Sequence, residues 1–262
     1  MTRYLRLLAI QLRISVASAM AYRANFLLEG VMSALWIAIT LLPLIVVYSG
    51  RAAVAGWTAP EALVVIAYFM GVRAILEGLI SPSLVDLVEK IRSGSFDYVL
   101  LKPIDAQAMV SASRYEPWKV FDLIGAIGIA IYAFVQRGAP PSAADLALGI
   151  ALFGTGVLAT YALWILCAAA AFWVGRLDNL MYLLGAIFDT ARWPVHVFPG
   201  AWRVVFTFVI PVAVMTTYPA MALLGQLDAA TALATLGGSL ALLAISRVVW
   251  RTAIRNYTSA SS

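Results

Sequence analysis

From about Ala24 to Tyr48 the chain is predominantly apolar, and comparable runs follow at about Glu61–Ile80, Trp118–Val135, Ala144–Trp173 and Ala229–Val249. Each is long enough to cross a hydrocarbon core of ~30 Å, where a backbone must satisfy its own hydrogen bonds and therefore folds as helix. With 63% hydrophobic residues, 12% charged residues and a mean hydropathy of +0.92, the chain is far more apolar than a soluble domain. No long polar block separates the runs, so a single membrane domain over 1–262 is expected.

Residues 3 to 23 set Arg3, Arg6 and Arg13 against Leu5, Leu8, Leu12 and Val16, the pattern of a basic amphipathic helix in the headgroup layer. A cleaved signal peptide is the rival reading. It fails because the apolar run after Ala24 is of full spanning length and has no convincing cleavage site. Lysine and arginine then orient the chain. Arg3, Arg6, Arg13, Arg23, Lys90, Arg92, Lys102, Arg114, Lys119, Arg176, Arg247, Arg251 and Arg255 fall on one side, and Arg51, Arg137, Arg192 and Arg203 on the other. A bias of about three to one places both termini and the 81–119 region in the cytoplasm. The net charge of +5 lies at span ends instead of forming a stripe between exposed aromatics, which argues against nucleic-acid binding.

Between the second and third spans lies a polar stretch, SPSLVDLVEKIRSGSFDYVLLKPID, from Ser81 to Asp105. Leu84, Leu87, Val88 and Ile91 share one helix face, and Asp86, Glu89, Lys90 and Arg92 fill the remainder. Pro82 and a capping-box spacing from Ser83 to Asp86 predict that a helix of about three turns starts here, and Gly94 predicts its end. On this pattern alone the helix either lies flat on the bilayer or acts as a docking element.

Two charges, Arg73 and Glu77, lie inside the second span, four residues apart and so on one helix face. A charge at membrane depth costs on the order of 3 kcal/mol, so such residues face protein or a wet cavity and pair. They read as a packing pair, as the wall of a substrate path, or as a contact with a second subunit. Asp189 and Arg192 fall in the least regular region, 179–228, which is broken by Pro194, Pro199, Pro211 and Pro219. A fifth span from about Leu177 to Arg192 is expected there, followed by helices that dip into the outer leaflet and return.

Several chemistries are missing from the sequence. It has no GxxxxGK[ST] phosphate loop, no HExxH, no CxxC, and one histidine, His196, without a second imidazole to share a metal. His196 reads as a helix-end or hydrogen-bonding residue, and the single cysteine, Cys167, as a small buried hydrophobe. A proton-coupled carrier would use Glu77, Asp122 and Asp189 as relays. No internal repeat supports that alternative. A membrane-embedded transferase would need a cluster of acid, base or metal residues that the scattered charges do not form.

The run Ile91, Gly94, Asp97, Leu100, Leu101, Pro103 (IRSGSFDYVLLKPI) and the late proline-rich run RWPVHVFPGAWRVVFTFVIPVAVMTTYPA resemble the ABC-2 type permeases, the membrane subunits of ATP-driven ABC exporters. The resemblance implies an all-α integral membrane protein with six transmembrane helices, an N-terminal amphipathic helix, a cytoplasmic coupling helix, and re-entrant outer helices between spans five and six. By the same likeness Ser83, Asp86, Glu89, Lys90, Arg92, Gly94, Asp97, Lys102 and Pro103 couple to a separate ABC ATPase, which would hold ATP and Mg. This chain would bind no cofactor. Arg73, Glu77, Asp189 and Arg192 would line the path or pack helices, and the partners would be the ATPase, a second permease (identical or different) and membrane lipids. The expected location is the plasma (inner) membrane, multi-pass.

Overall fold

A computed structural model of the chain describes residues 2–21, 23–173 and 178–257. Helix α1 (Thr2–Ala21) precedes the long apolar α2 (Arg23–Tyr48). At the far end of α2 a two-residue ribbon, β1 (Ala53–Val54) against β2 (Trp57–Thr58), turns the chain back. Tyr48 pins this turn by donating to the Trp57 carbonyl at 3.0 Å. Helix α3 (Ala59–Ile75) then starts with the Glu61 carboxylate accepting from the Thr58 N–H at 2.9 Å. It is apolar all round and buried along almost its whole length, as befits the central helix. The helices α7 (Val120–Arg137) and α8 (Ala143–Ala169) pack directly on it.

The first correction to the sequence reading comes at Pro82. No new helix starts there. A π-helical turn, Leu76–Ile80, carries α3 straight into α4 (Ser81–Arg92), so that Ala59–Arg92 is one 34-residue apolar helix. Proline lacks the N–H that would serve the carbonyl four residues back, and that carbonyl, of Gly78, instead accepts from the Glu116 N–H at 2.8 Å. Ser83 is no cap. It is fully buried, and its hydroxyl donates to the Arg114 carbonyl at 2.8 Å and accepts from the Arg114 N–H at 3.1 Å. The proline that looked like a helix start lies inside a continuous helix, and the carbonyl it leaves free is served by a segment about 30 residues further on.

Two short helices follow, α5 (Asp97–Leu100) and α6 (Ala106–Val110), and a 3-10 turn, Pro117–Lys119, leads into α7. Helix α8 is N-capped by Ser142, which accepts from the Asp145 N–H at 3.1 Å, and runs on through a 3-10 turn to Phe172. Helix α9 (Asp178–Phe188) and the 3-10 turn Asp189–Arg192 stand where a fifth span is expected. Leu177 lies outside the described residues. At 1.5 Å per residue, 178–192 reaches about 22 Å and falls short of an upright crossing.

Beyond it, α10 (Gly200–Val204) with the π-turn Val205–Val209 meets the π-turn Ala213–Thr217 with α11 (Tyr218–Leu223) at a 73° bend. That bend falls at Ile210–Val212, around Pro211, in the region where proline-broken helices are expected. The second arm lies against α8 so closely that a Cβ on Gly156 would stand 2.7 Å from the Met215 carbonyl oxygen. Only glycine permits that approach.

Helix α12 (Ala229–Arg255) closes the chain, capped by Asp228 and packed along α8. It runs six residues past the expected end at Val249 because Trp250 and Ala253 are buried. Among the described residues five helices are long and apolar enough to cross a membrane, and the bent pair is the one further stretch that passes the same test when joined.

Candidate coupling helix and charge ladder

Helix α4 buries the face its sequence marks. Leu84 and Leu87 are fully buried, Val88 and Ile91 pack on the same core, and Glu89 and Arg92 are exposed and loosely paired at 3.5 Å. Asp86 and Lys90 form an i,i+4 ion pair and are half-buried. Ser83 therefore leaves the set of residues free to touch a partner, because its side chain is committed to the Arg114 backbone.

The helix stops where Gly94 adopts φ +74°, which lets the Phe96 N–H return to the Lys90 carbonyl at 3.0 Å. This turn drives Phe96 into the core. Fully buried, its ring stands 5.3 Å from Phe172, 6.4 Å from Trp250 and 5.4 Å from Tyr257, in edge-to-face contacts that tie the turn to α8 and α12. Asp97 lies against Tyr257; burial and that carboxylate hold the phenol above its usual range. With Phe96 turned inward, Tyr98, Leu100, Leu101, Lys102 and Pro103 stay exposed, and Val85 of α4 is exposed as well. Apolar and charged side chains are thus exposed together on the 98–103 turn, and Val85 is exposed on α4.

A latch that sequence reasoning did not single out closes this region. Asp105 caps α6, accepting from the Ala108 N–H at 3.1 Å, and takes a two-pronged ion pair from Arg247 of α12. Arg247 also donates to Gln107 Oε1 at 2.6 Å, and Gln107 donates to the Tyr161 hydroxyl at 2.9 Å. The Arg247 hydrogen bonds pull the Asp105 carboxyl below the usual carboxylate range.

Above α4, the charges on α3 form a ladder instead of an isolated pair. Arg73 Nε meets Glu77 at 2.7 Å, and its Nη1 meets Asp189 at 3.0 Å. Glu77 meets Lys119 at 2.7 Å, and Lys119 meets Asp122 at 3.4 Å. Asp122 accepts from Ser33 of α2, and Arg192 meets Asp189 at 3.6 Å. Arg73 and Arg192 both lie over the Phe69 ring, at 5.8 and 5.6 Å. Three cations and three carboxylates alternate, so the set is neutral and joins α2, α3, the start of α7 and the turn after α9.

The structure thus brings together Arg73, Glu77, Asp189 and Arg192 and adds Lys119 and Asp122. The charge pattern could reveal that both added residues are ionic, but not that they reach α3. Arg73 and Glu77 also form the wall shared by two cavities. One, of about 200 Å³, includes Ser33, Trp36 and Asp122; the other, of about 590 Å³, includes Val85 and Val88 of α4, Tyr182 and Asp189.

His196 stands apart from this network. Its ring lies 5.9 Å from Trp57, its carbonyl accepts from Arg203 at 2.8 Å, and burial with the Arg203 charge holds its pKa below the usual range. Among the described residues no three His, Cys, Asp or Glu side chains gather as a metal site.

The proline-bent outer pair, the amphipathic segment continuous with the central helix and the glycine turn that ends it are the features of a membrane permease. A family model described as ABC-2 family transporter protein matches residues 34–261. The chain belongs to the ABC-2 transporter family. It is therefore a membrane permease of an ABC transporter, of a family whose members normally work with an ABC ATPase. No curated protein and no solved structure matches the chain. In this ABC-2 permease the matched region takes in α3, α4, the Gly94 turn and every charge of the ladder.

Proposed function

We infer that this chain is the membrane-spanning half of an ATP-driven exporter, a single permease domain of six spans with both termini in the cytoplasm of the plasma (inner) membrane. A separate ATPase subunit docks on the exposed face of α4 and on the 97–103 turn, and carries the ATP and Mg. A second permease, of the same or a different sequence, completes the path.

One observation carries this reading: α3 and α4 are a single helix, so a force applied at Glu89 or Arg92 is delivered along α3 to Arg73 and Glu77. The exposed Tyr98, Leu100 and Leu101 on the turn support the docking role, since apolar surface outside the bilayer marks an interaction site. The lysine and arginine bias supports the orientation.

A proton relay is less well supported. Glu77, Asp122 and Asp189, the carboxylates it would use, are each held by cations in the ladder. Reconstitution decides between the two. Transport into vesicles is expected only when the ATPase subunit and ATP are added, and transport driven by a proton gradient without them would overturn the reading.

A further inference from the structure

At the elbow between α1 and α2 lies a cavity of about 350 Å³ that shares Glu29 and Trp118 with the smaller cavity beside the ladder. Its walls come from three places in the chain: Ser15 and Ser18 of α1, Asn25 and Glu29 of α2, and Arg114, Tyr115 and Trp118 of the segment that hydrogen-bonds around Pro82. Two of these residues carry opposite full charges, and neither has an ion-pair partner among the described residues. The nearby Lys119 ammonium is already committed to Glu77 and Asp122. Burial holds the Glu116 carboxyl above its usual range, with the Lys119 and Arg114 charges acting against that shift and the Glu77 and Glu29 charges adding to it.

The depth of the cavity is informative. At 1.5 Å per residue, Glu29 stands about 29 Å from Tyr48 at the other end of α2, close to the ~30 Å thickness of the hydrocarbon core. Glu29 therefore sits at the boundary where hydrocarbon gives way to headgroups. Ile14 and Phe26 supply an apolar border on the same cavity, and Trp118 and Tyr115 are the residue types that favour this layer.

The geometry points to a binding site for a zwitterionic phospholipid with a primary-amine headgroup, its phosphate on Arg114 and the hydroxyls of α1, its ammonium on Glu29. Arginine suits a phosphate because its planar fork donates several hydrogen bonds. Glu29 accepts from a primary ammonium but has no hydrogen bond to accept from a quaternary one. The Arg114 backbone is clasped by Ser83 and the neighbouring Glu116 N–H donates to the Gly78 carbonyl, so a bound headgroup would stiffen the junction between α3 and α4. The inference rests on membrane placement alone and stands whether or not an ATPase docks on α4.

The test is to incorporate the full chain into nanodiscs made from equal amounts of phosphatidylethanolamine, phosphatidylcholine and phosphatidylglycerol, and to weigh the retained lipid by native mass spectrometry. The unaltered protein is expected to retain phosphatidylethanolamine over each of the others by about tenfold, the size of one charge-assisted hydrogen bond. Glu29→Gln should abolish the preference over phosphatidylglycerol, Arg114→Gln should lower retention of both, and Glu29→Asp should restore part of the preference. Each variant is first required to elute as a single species. Identical lipid profiles in all variants, or phosphatidylglycerol retained best by the unaltered protein, would overturn the assignment. Displacement of the lipid by millimolar O-phosphoethanolamine would do so too, since the site would then belong to a soluble compound.

Discussion

Removing Glu77 and Lys119 separately and together tests whether the ladder holds the bundle as one electrostatic unit. The two charges come from the π-turn after α3 and the 3-10 turn before α7, lie 2.7 Å apart, and have side chains 33% and 22% exposed. Breaking a fully buried pair costs about 3–5 kcal/mol because a lone charge is stranded, whereas a fully exposed pair contributes about 0–1 kcal/mol. Neither residue is stranded completely here. Glu77 keeps Arg73 at 2.7 Å, and Lys119 keeps Asp122 at 3.4 Å. With that partial rescue and partial solvent screening, the coupling should come to about 1.5 kcal/mol, or roughly tenfold in the folded-to-unfolded ratio. Glu77→Gln, Lys119→Gln and the double variant would be unfolded by increasing the SDS fraction in mixed micelles and followed by tryptophan fluorescence. The double variant should lose less than the sum of the singles. Additivity within about 0.5 kcal/mol would refute the ladder as an energetic unit. Glu89 and Arg92, at 3.5 Å and well exposed, form the internal control and should show almost no coupling.

Three further outcomes are expected. Phe96→Ala should destabilise the protein by about 3–5 kcal/mol, because the ring is fully buried among Phe172, Trp250 and Tyr257; the same micelle titration reads the loss. Asp105 has a folded pKa below its unfolded value, so its link to Arg247 stabilises fully above about pH 4 and is lost as the pH falls through the lower folded value. Limited proteolysis of the 97–111 segment should therefore accelerate in acid, with an acid-stable protease, and Asp105→Asn should remove that acid dependence. In a Cys167→Ala background, a membrane-impermeant thiol reagent applied to intact cells should label a cysteine placed at Gly138 and spare one at Ser95. Labelling at Ser95 would invert the topology.

Much of the architecture is legible in the sequence because a spanning helix announces itself by length and composition. The ends of α2 and α7 fall within about two residues of where the apolar runs stop, as do those of α8 once its 3-10 turn to Phe172 is counted. The buried face of α4 is legible for a similar reason, since its period is local.

What escapes is what depends on distant chain. Pro82 and Ser83 carry every local mark of a helix start, and nothing nearby reveals that the Glu116 N–H supplies the bond proline removes. Arg73 and Glu77 are visible as a pair four residues apart, but Lys119 and Asp189 join them across 42 and 116 residues of sequence. The Asp105 to Arg247 latch spans 142 residues. The bent outer pair resists for another reason: Pro211 and the π-turns on either side of it erase the 3.6-residue period on which helix reading depends.

The most direct test of the coupling claim is to reverse charge at Glu89 or Arg92, then measure ATPase pull-down and ATP-dependent transport on equal amounts of folded permease. Both positions are exposed, so folded yield should stay near that of the unaltered protein. Leu87→Gln serves as the contrasting variant, and it should lower yield by removing a packed apolar group worth roughly 1.5–3 kcal/mol. Reversal is expected to weaken ATPase capture, or to leave ATP hydrolysis running without transport. Unchanged capture and unchanged transport in Glu89→Arg, Arg92→Glu and a variant carrying both reversals plus Leu101→Glu would contradict the claim, and α4 would then serve only to pack the end of the central helix.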